Sequence, residues 1–243
     1  MTRHERPGRD AHGRHRRRRR DRAGGRAAAG RGGRAGRRVR RQAPELDGVA
    51  CAVGADVTDE ADLARAVAEA SDALGGIDAL VAMAGIHASA PTHELDLATF
   101  RRVLDVSAVG TFLSAKAVLP GMLAQGNGRI LTFGSTAAVR AAPGLTAYAA
   151  AKGAVLQITR SIAVEYADRG IRANCICPGG VETPLLSAID AERTGPDHFK
   201  ERHPIGRYSK PEEIASAVAF LLSDDSSFVL GAAVMVDGGY SAS

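Results

Sequence analysis

The stretch Tyr148-Ala149-Ala150-Ala151-Lys152, with Ser135 thirteen residues before the tyrosine, is the most informative segment of this chain. On a helix, residues four apart lie on one face, so Tyr148 and Lys152 are predicted neighbours. A free phenol has a pKa of about 10, and an adjacent ammonium group favours the phenolate and lowers that pKa. A Ser135 hydroxyl beside them could hold a substrate oxygen while Tyr148 exchanges a proton with it. The three residues therefore suit the interconversion of an alcohol and a carbonyl, although a Tyr and a Lys at this spacing alone also fit a solvated helix face.

Five further short motifs surround this segment in a fixed order. They are Asp56-Val57-Thr58-Asp59, Ala82-Met83-Ala84-Gly85, Gly134-Ser135, Pro178-Gly179-Gly180-Val181-Glu182-Thr183 and Asp237-Gly238-Gly239. In order and spacing, the set resembles the short-chain dehydrogenase/reductase family, in the compact form that includes the ketoacyl-carrier-protein reductases. The resemblance extends over residues 46–243, about four-fifths of the chain.

The resemblance implies hydride transfer between a nicotinamide cofactor, NAD or NADP, and a carbonyl or secondary alcohol. Tyr148 would be the general acid or base, Lys152 would lower its pKa and hold the nicotinamide ribose, and Ser135 would orient the substrate oxygen. In such enzymes the cofactor performs the redox chemistry, and the protein supplies position and electrostatics. Besides Tyr148 and Lys152, the implied cofactor contacts are Asp56, Val57, Met83, Ala84, Gly85, Pro178, Gly179, Val181 and Thr183.

Within that set, Asp56 and Val57 would bracket the adenine ring, and Thr183 would bind the carboxamide. Two positions depart from the family pattern. Ser107 stands where the family has its fourth catalytic residue, an Asn, so a less well-ordered proton relay is expected. Ala82-Met83 replaces a pair of Asn, which removes side-chain hydrogen bonds between neighbouring strands. We expect neither change to eliminate catalysis.

Apolar runs and helical patterns alternate along the chain after residue 48. Strands are predicted at residues 49–55, 79–84, 130–133, 171–177 and 234–236. Helices are predicted at residues 58–74, 97–125 with a break near Pro120, 146–169 and 211–222. This alternation predicts an α/β fold, a doubly wound, Rossmann-like parallel sheet whose ligands bind beyond the carboxyl ends of its strands. The motifs at Asp56, Ser135 and Pro178 all fall at such ends.

Charge is distributed unevenly along the chain. The formal net charge is +5, but residues 1–44 hold 17 Arg against three acidic residues, a net of +14. The remainder has a net charge of −9 and gives no reason to expect nucleic acid. Residues 1–44 contain no Leu, Ile, Phe or Tyr, so no buried strand is predicted there. The family resemblance implies that the first strand-helix-strand unit and the Gly-rich loop for the cofactor's pyrophosphate lie in this segment, so we expect the sheet to lack them.

Three explanations compete for residues 1–44. Five consecutive Arg at 16–20 are typical of a basic, nucleic-acid-binding arm. A transit peptide would be Arg-rich but also Ser-rich, and the first Ser is Ser71. The third explanation is a shifted reading frame, because the segment has many Arg, no Lys and much Ala and Gly. If Gly13-Arg14-His15-Arg16 is encoded GGC CGG CAT CGG, a one-base shift gives Ala-Gly-Ile-Gly, the family's loop sequence.

We therefore expect residues 1–44 to be a disordered or out-of-frame segment and residues 45–243 to be a single dinucleotide-dependent oxidoreductase domain. The alternative is a catalytically defective member of the family, because the phosphate-binding loop is missing. A third, remote alternative is a nucleic-acid-associated protein that uses the basic arm. The expected partners are a small carbonyl or alcohol substrate and further copies of the chain, as a dimer or tetramer. We expect no membrane span, no nucleic acid and a cytoplasmic location.

The three cysteines and seven histidines show no spacing typical of a metal site, so no metal is expected. We expect Cys175 and Cys177 to point to opposite faces of their strand, which would exclude a shared site. His87 and His93 follow Gly85 in a predicted active-site loop. A substrate contact is one interpretation of these two residues, but solvated loop histidines are favoured.

Overall fold

The computed structural model describes residues 49–184, 186–187 and 198–243. Within these residues lies a parallel sheet of four strands, arranged in the order β1-β2-β3-β4. The strands are β1 (Ala79–Ala82), β2 (Gly128–Phe133), β3 (Ile171–Pro178) and β4 (Ala233–Val236). The helices are α1 (Glu60–Leu74), α2 (Leu97–Leu104), α3 (Gly110–Gln125), α4 (Thr146–Tyr166), α5 (His198–Glu201) and α6 (Pro211–Leu222). The expectations for residues 1–44 concern a segment outside the described residues.

Each strand pairs in parallel with the next strand along the chain. Leu80 lies opposite Ile130, Ile130 lies opposite Ala173, and Cys175 lies opposite Ala233. Parallel neighbours need long crossover connections, which are usually helical. Here the crossovers contain α3, α4 and α6 in turn. All four carboxyl ends consequently meet at one edge of the sheet, where folds of this type bind their ligands.

Helices cover both faces of this sheet. On one face, α3 and α4 pack against β2 and β3 through buried side chains, which are Val118, Met122, Ile130, Ile162 and Ile171. On the other face, α6 packs through Leu131, Ile176, Ile214 and Leu221. Ile130 and Leu131 are adjacent but face different helices, because successive side chains of a strand alternate between faces. The predicted doubly wound parallel sheet is confirmed.

The start of α1 is set by a side-chain cap one residue later than predicted. The carboxylate of Asp59 accepts hydrogen bonds from the amides of Ala61 and Asp62, each at 3.1 Å. These bonds satisfy backbone donors that the first helical turn leaves without partners. Thr58, which begins the predicted helix, instead donates to the Asp56 carboxylate through its amide and its hydroxyl. The Asp56 motif is thus a turn held by its own side chain.

The predicted helix 97–125 is interrupted, but not near Pro120. A π turn at Asp105–Val109 separates α2 from α3, and Pro120 lies inside α3. An internal proline removes a backbone hydrogen bond. The helix nevertheless continues past it to Gln125, and Met122, two residues after the proline, is fully buried. The predicted position of the break is therefore wrong, and the interruption instead falls at Ser107, in a type of turn that is frequent at functional sites.

By length and composition, the segment Leu97–Gln125 qualifies as a candidate membrane span. Half of an apolar 18-residue stretch within it is buried inside the fold, and the π turn interrupts the segment. The same composition is expected of a helix that packs in a protein core. Its burial between β2 and α4 accounts for its apolar character.

Residues 49–55, predicted as a strand, are irregular in the structure. A strand needs a partner for its backbone N–H and C=O groups, and no described segment pairs with these residues. The carbonyl of Gly54 instead accepts a 2.8 Å hydrogen bond from the guanidinium of Arg65 on α1. The strand predicted from the apolar composition of these residues is therefore wrong for the described part of the chain. Composition does not show whether a neighbouring strand is present to pair with.

Candidate active site

Four loops at the carboxyl edge of the sheet carry the sequence motifs. Met83-Ala84-Gly85 follows β1, Gly134-Ser135 follows β2, Gly179-Gly180 follows β3 and Asp237 follows β4. The first two turns of α4 bring Tyr148 and Lys152 to the same edge. The parallel topology thus gathers motifs that are widely separated in the sequence.

Ser135 leaves β2 in an extended conformation and caps a short 3₁₀ helix, Thr136–Ala138. Its Oγ accepts a 3.1 Å hydrogen bond from the amide of Ala137. The Ser135 hydroxyl lies near the phenol of Tyr148, the third residue of α4, where it acts to lower the pKa of that phenol. The structure therefore brings together the hydroxyl groups of the two residues that the sequence analysis singled out.

Lys152 lies one helical turn after Tyr148, with only 5% of its surface exposed. Its Nζ donates a 2.6 Å hydrogen bond to the backbone carbonyl of Phe133 and lies 5.7 Å from the centroid of the Tyr148 ring. Burial disfavours the charged ammonium and lowers the pKa of Lys152 to about 8. At neutral pH the lysine is therefore still mainly protonated.

The pKa of Tyr148 is raised in this structure, not lowered. Burial of the phenol is the largest cause, since it disfavours the phenolate. The nearby Ser135 hydroxyl acts in the opposite direction, and the neighbouring Cys177 raises the pKa further. The ammonium of Lys152 is directed to the Phe133 carbonyl. Burial therefore sets the net direction, and the effect of Lys152 on the pKa of this tyrosine stays a prediction.

Ser107 and Gly85 complete the surroundings of Lys152. Ser107 is fully buried in the π turn, and its Oγ accepts a 3.3 Å hydrogen bond from the amide of Ile86. A Cβ atom at Gly85 would lie 3.4 Å from Nζ of Lys152 and 3.5 Å from Oγ of Ser107. The glycine therefore allows the loop after β1 to approach both side chains closely. Ser107 ties that loop to the long helix.

The ring of His87 lies beside that of Tyr148, the predicted catalytic tyrosine. The favoured interpretation of His87 as a solvated loop histidine did not predict this contact. The His87 ring is half-buried, and its centroid is 5.2 Å from that of the Tyr148 ring, with 56° between the two planes. The only signal in the sequence was its position two residues after Gly85. His93 fits the solvated interpretation, because 81% of its side chain is exposed.

The turn after β3 is held by backbone contacts with the segment before α6. Val181 pairs with Ser209, whose amide donates a 2.9 Å hydrogen bond to the carbonyl of Gly180. The hydroxyl of Thr183 donates to the carbonyl of Val181 at 3.2 Å. This turn contains four of the predicted cofactor contacts, which are Pro178, Gly179, Val181 and Thr183.

The residues predicted to bracket the adenine lie against the start of α3. Val57 packs on Gly110, where an added Cβ would come within 3.0 Å of the valine side chain. The Asp56 carboxylate accepts bonds of 2.9 and 2.7 Å from Thr58. The Met83 side chain, after β1, is 62% exposed. Gly110 directly follows the π turn, so the Asp56 turn and Ser107 are held by the same helix.

Cys175 and Cys177 point to the same face of β3. Their Sγ atoms are 3.9 Å apart, and both side chains are fully buried against Val155 and Leu156 of α4. Residues two apart on a strand share a face, so the prediction that these two point to opposite faces is wrong. Within the described residues, no group of three or more His, Cys, Asp or Glu side chains could hold a metal ion.

A cavity of about 420 Å³ opens beside the turn after β3. Its lining residues are Glu182, Thr183, Pro184, Leu186, Ser187 and Tyr208. Of the predicted site residues, Thr183 lines this cavity, and neither Ser135 nor Tyr148 does. Its volume is in the range of small-molecule sites.

Comparison with known proteins decides the family. The chain matches the family model described as enoyl-(acyl carrier protein) reductase over residues 19–241. This chain belongs to the short-chain dehydrogenase/reductase family. It is 44% identical over 198 residues to 2-(S)-hydroxypropyl-CoM dehydrogenase 3 of Xanthobacter autotrophicus, covering 80% of this chain and 78% of that protein. It is also 44% identical over 206 residues to a protein of the same organism named inactive 2-(S)-hydroxypropyl-CoM dehydrogenase 2, covering 83% of this chain and 90% of that protein.

Solved structures of short-chain dehydrogenases/reductases have the same architecture. The 3-ketoacyl-(acyl-carrier-protein) reductase from Brucella melitensis, complexed with NADH, aligns with a TM-score of 0.72 and 36% identity. The alignment covers 78% of this chain and 77% of that chain. As a member of this family, this chain is an oxidoreductase. Among its relatives of known structure, the gluconate 5-dehydrogenase from Burkholderia cenocepacia J2315 was solved in complex with NADP and tartrate.

Proposed function

We propose that this chain interconverts a carbonyl and a secondary alcohol, with Tyr148 as general acid in reduction and general base in oxidation. The observation that carries the proposal is the grouping of Ser135, Tyr148 and the buried ammonium of Lys152, whose Nζ lies 5.7 Å from the centroid of the Tyr148 ring. Two hydroxyl groups can hold one substrate oxygen from two sides. The positive charge 5.7 Å from the phenol ring favours the negative charge that develops on the phenol when it gives up its proton.

Each residue of this cluster has a separate task in the proposed reaction. Ser135 donates a hydrogen bond to the substrate oxygen and orients the carbonyl. Tyr148 donates its proton to that oxygen in reduction and accepts the hydroxyl proton in oxidation. The cofactor supplies or accepts the hydride when it is bound. The raised pKa keeps Tyr148 protonated at neutral pH, so the site as it stands is ready to act as an acid, and oxidation is expected to become faster at alkaline pH.

The residues at the sheet edge fit the nicotinamide half of the cofactor. Lys152 uses one of its three N–H donors on Phe133, which leaves two for the ribose hydroxyls. Gly85 has no Cβ to fill the space next to Nζ. The turn from Pro178 to Thr183 would hold the nicotinamide ring and its carboxamide. On the adenine side, the proposed contacts are Asp56, Val57, Met83 and Ala84.

The proposal is tested by following nicotinamide absorbance with a panel of ketones and secondary alcohols. We expect turnover with NAD(H) or NADP(H), and a loss of at least about a hundredfold for Tyr148→Phe, since general acid–base catalysis contributes that much or more. Ser135→Ala is expected to lose activity while Lys116→Met, a change at an exposed lysine on α3, is expected to keep it. Activity that survives Tyr148→Phe unchanged excludes the assigned role.

A second candidate is a catalytically defective member of the family. It is favoured by the composition of residues 1–44, in which we found no Gly-rich phosphate loop preceded by an apolar run, and by the relative named as inactive. Calorimetric titration of the 243-residue chain with NADH and NADPH distinguishes the two candidates. Binding in the micromolar range supports the enzyme, whereas no binding supports the defective protein.

We also propose that residues 1–44 arise from a shifted reading frame and that residues 45–243 form a single domain. Translating the first 150 bases of the gene in three frames tests this. A second frame that encodes an apolar strand followed by a Gly-rich loop supports the proposal. A gene that encodes a Gly-rich loop in no frame contradicts it, and the basic-arm interpretation then takes its place.

We further propose a cytoplasmic dimer or tetramer that does not bind nucleic acid. Exposed apolar side chains on the long helices support self-association, with Phe112 of α3 46% exposed and Val164 of α4 81% exposed. Light scattering of the purified chain is expected to show a mass of two or four copies. A monomer at all concentrations contradicts the association, and recovery from a membrane fraction contradicts the location.

A further inference from the structure

We propose that His203 is a positioning residue that holds the turn after β3 in the conformation needed to receive the nicotinamide ring. The inference rests on the proposed function, because it assigns a cofactor contact to that turn. His203 lies between α5 and α6, 25 residues after Pro178, and no sequence motif drew attention to it. Only 2% of its surface is exposed.

Both ring nitrogens of His203 are used on the backbone of two different segments. Nε2 accepts a 3.0 Å hydrogen bond from the amide of Gly180. Nδ1 lies 2.8 Å from the carbonyl of Phe199 in α5. An amide can only donate and a carbonyl can only accept, so these contacts require Nδ1 to carry the proton and Nε2 to be unprotonated. The imidazole is therefore neutral with one defined tautomer, and it links the turn directly to α5.

The turn is pressed against the imidazole with no space between them. A Cβ atom at Gly179 would lie 2.8 Å from Nε2 of His203 and 3.0 Å from Cα of Asp237. A Cβ atom at Gly180 would overlap the ring of Tyr208. The two glycines are thus required because the backbone itself, not a side chain, contacts His203 and its neighbours. The carbonyl and amide groups of the turn are positioned by this contact.

An aromatic cage fixes the imidazole in turn. The ring of Phe199 is edge-on to His203 at 4.9 Å between centroids, Tyr240 lies at 5.0 Å and Tyr208 at 5.6 Å. Tyr208 also lines the cavity beside Thr183. His203 therefore joins the turn after β3 to α5, to the wall of the cavity and to the segment after β4.

An apolar ring would fill this cage without the cost of burying two polar nitrogens. That cost is recovered only if both nitrogens are hydrogen-bonded, and in this structure both are. Of the contacts of His203, the bond from the Gly180 amide is the one that acts on the backbone of the turn itself. We therefore infer that this bond positions the turn. The remaining contacts of His203 hold its ring in place by packing.

The test compares His203→Phe with His203→Gln. Phe keeps the ring in the cage but leaves the Gly180 amide without an acceptor. The Gln side chain can present an oxygen at the position of Nε2. Binding of NADH and of ADP-ribose is measured for each variant of the 243-residue chain. We expect His203→Phe to weaken NADH binding about tenfold, the cost of one unsatisfied buried donor, and to leave ADP-ribose binding unchanged, with His203→Gln restoring most of the loss.

A second readout does not depend on the cofactor. Amide exchange at Gly180, followed by NMR without ligand, is expected to be slow in the wild type and in His203→Gln and at least about tenfold faster in His203→Phe. Equal losses of NADH and ADP-ribose affinity, or unchanged exchange at Gly180, overturn the inference. A wild-type chain that binds neither ligand but protects Gly180 through His203 counts against the proposed function, while the link between His203 and the turn stands.

Discussion

The ammonium group of Lys152 and the backbone carbonyl of Phe133 form a 2.6 Å hydrogen bond at the carboxyl end of β2. This bond ties the lysine to the central strands of the sheet, so its position does not depend on Tyr148. The bond also holds a charged group in a buried position, where Gly85 lies next to both this ammonium and the fully buried Ser107. A buried ammonium destabilises the folded state unless its interactions compensate, which gives the unfolding free energy a defined pH dependence.

The first prediction concerns that pH dependence. The pKa of Lys152 is about 8 in the folded chain and about 10.5 when unfolded. Between these values the unfolded chain binds a proton that the folded chain lacks, so stability rises with pH, by up to about 3 kcal/mol in total. Lys152→Met should remove this rise. Urea unfolding at several pH values from 7 to 10.5 measures it.

Other groups also titrate in that range, so the informative quantity is the difference between the wild type and Lys152→Met. Lys116→Met, at a lysine 56% exposed, serves as the control for loss of a lysine at the surface. Parallel stability curves for the wild type and Lys152→Met would show that Lys152 is not buried as a charged group.

The second prediction concerns the close packing behind Ser135. A Cβ atom at Gly134 would lie 2.8 Å from both Sγ atoms of Cys175 and Cys177. Gly134→Ala should therefore destabilise the fold by about 1–3 kcal/mol, the usual cost of overpacking a core. In a background that carries Cys175→Ala and Cys177→Ala, the same change should be close to neutral. Additive effects in this cycle would place the cost of Gly134→Ala elsewhere.

The third prediction concerns the ring contact between His87 and Tyr148. Aromatic pairs at such distances contribute about 0.5–1.5 kcal/mol. His87→Ala should therefore lower kcat/KM about two- to tenfold by loosening the tyrosine, whereas His87→Phe, which keeps a ring at this place, should retain most of the activity. His93→Ala, at an exposed histidine in the same loop, is the control. A loss as large in His87→Phe as in His87→Ala would instead indicate a polar role for the imidazole.

The fourth prediction concerns Ser107, which stands where the family has Asn. Its Oγ holds the amide of Ile86 at 3.3 Å. Ser107→Ala should cost about 1 kcal/mol of stability and also lower kcat, because the loop after Gly85 borders the ammonium of Lys152. Ser114→Ala removes a comparable hydroxyl, bonded to the Gly110 carbonyl at 2.7 Å on α3, and should leave kcat unchanged. If both variants lose activity equally, the effect comes from the helix rather than from the site.

Local sequence patterns were sufficient for most of the regular structure. The apolar runs before Gly134 and Pro178 form β2 and β3, and the helix predicted at Pro211–Leu222 has those bounds in the structure. Local patterns were insufficient where the structure of a segment depends on a partner that is distant in the sequence. Residues 49–55 have the composition of a strand but no described segment to pair with. The long helix is interrupted at the π turn rather than near Pro120, and α3 continues past Pro120 with Met122 buried in the core.

The sequence by itself determined the family, the parallel α/β fold and the group of Ser135, Tyr148 and Lys152, because spacing along a strand, a turn and a helix face is a local property. Only the tertiary structure decided how these groups are tuned. Burial raises the pKa of Tyr148 and lowers that of Lys152, and burial depends on what the rest of the chain packs around them. The places of His87 and His203 are likewise products of packing, since each contacts a segment far away in the sequence.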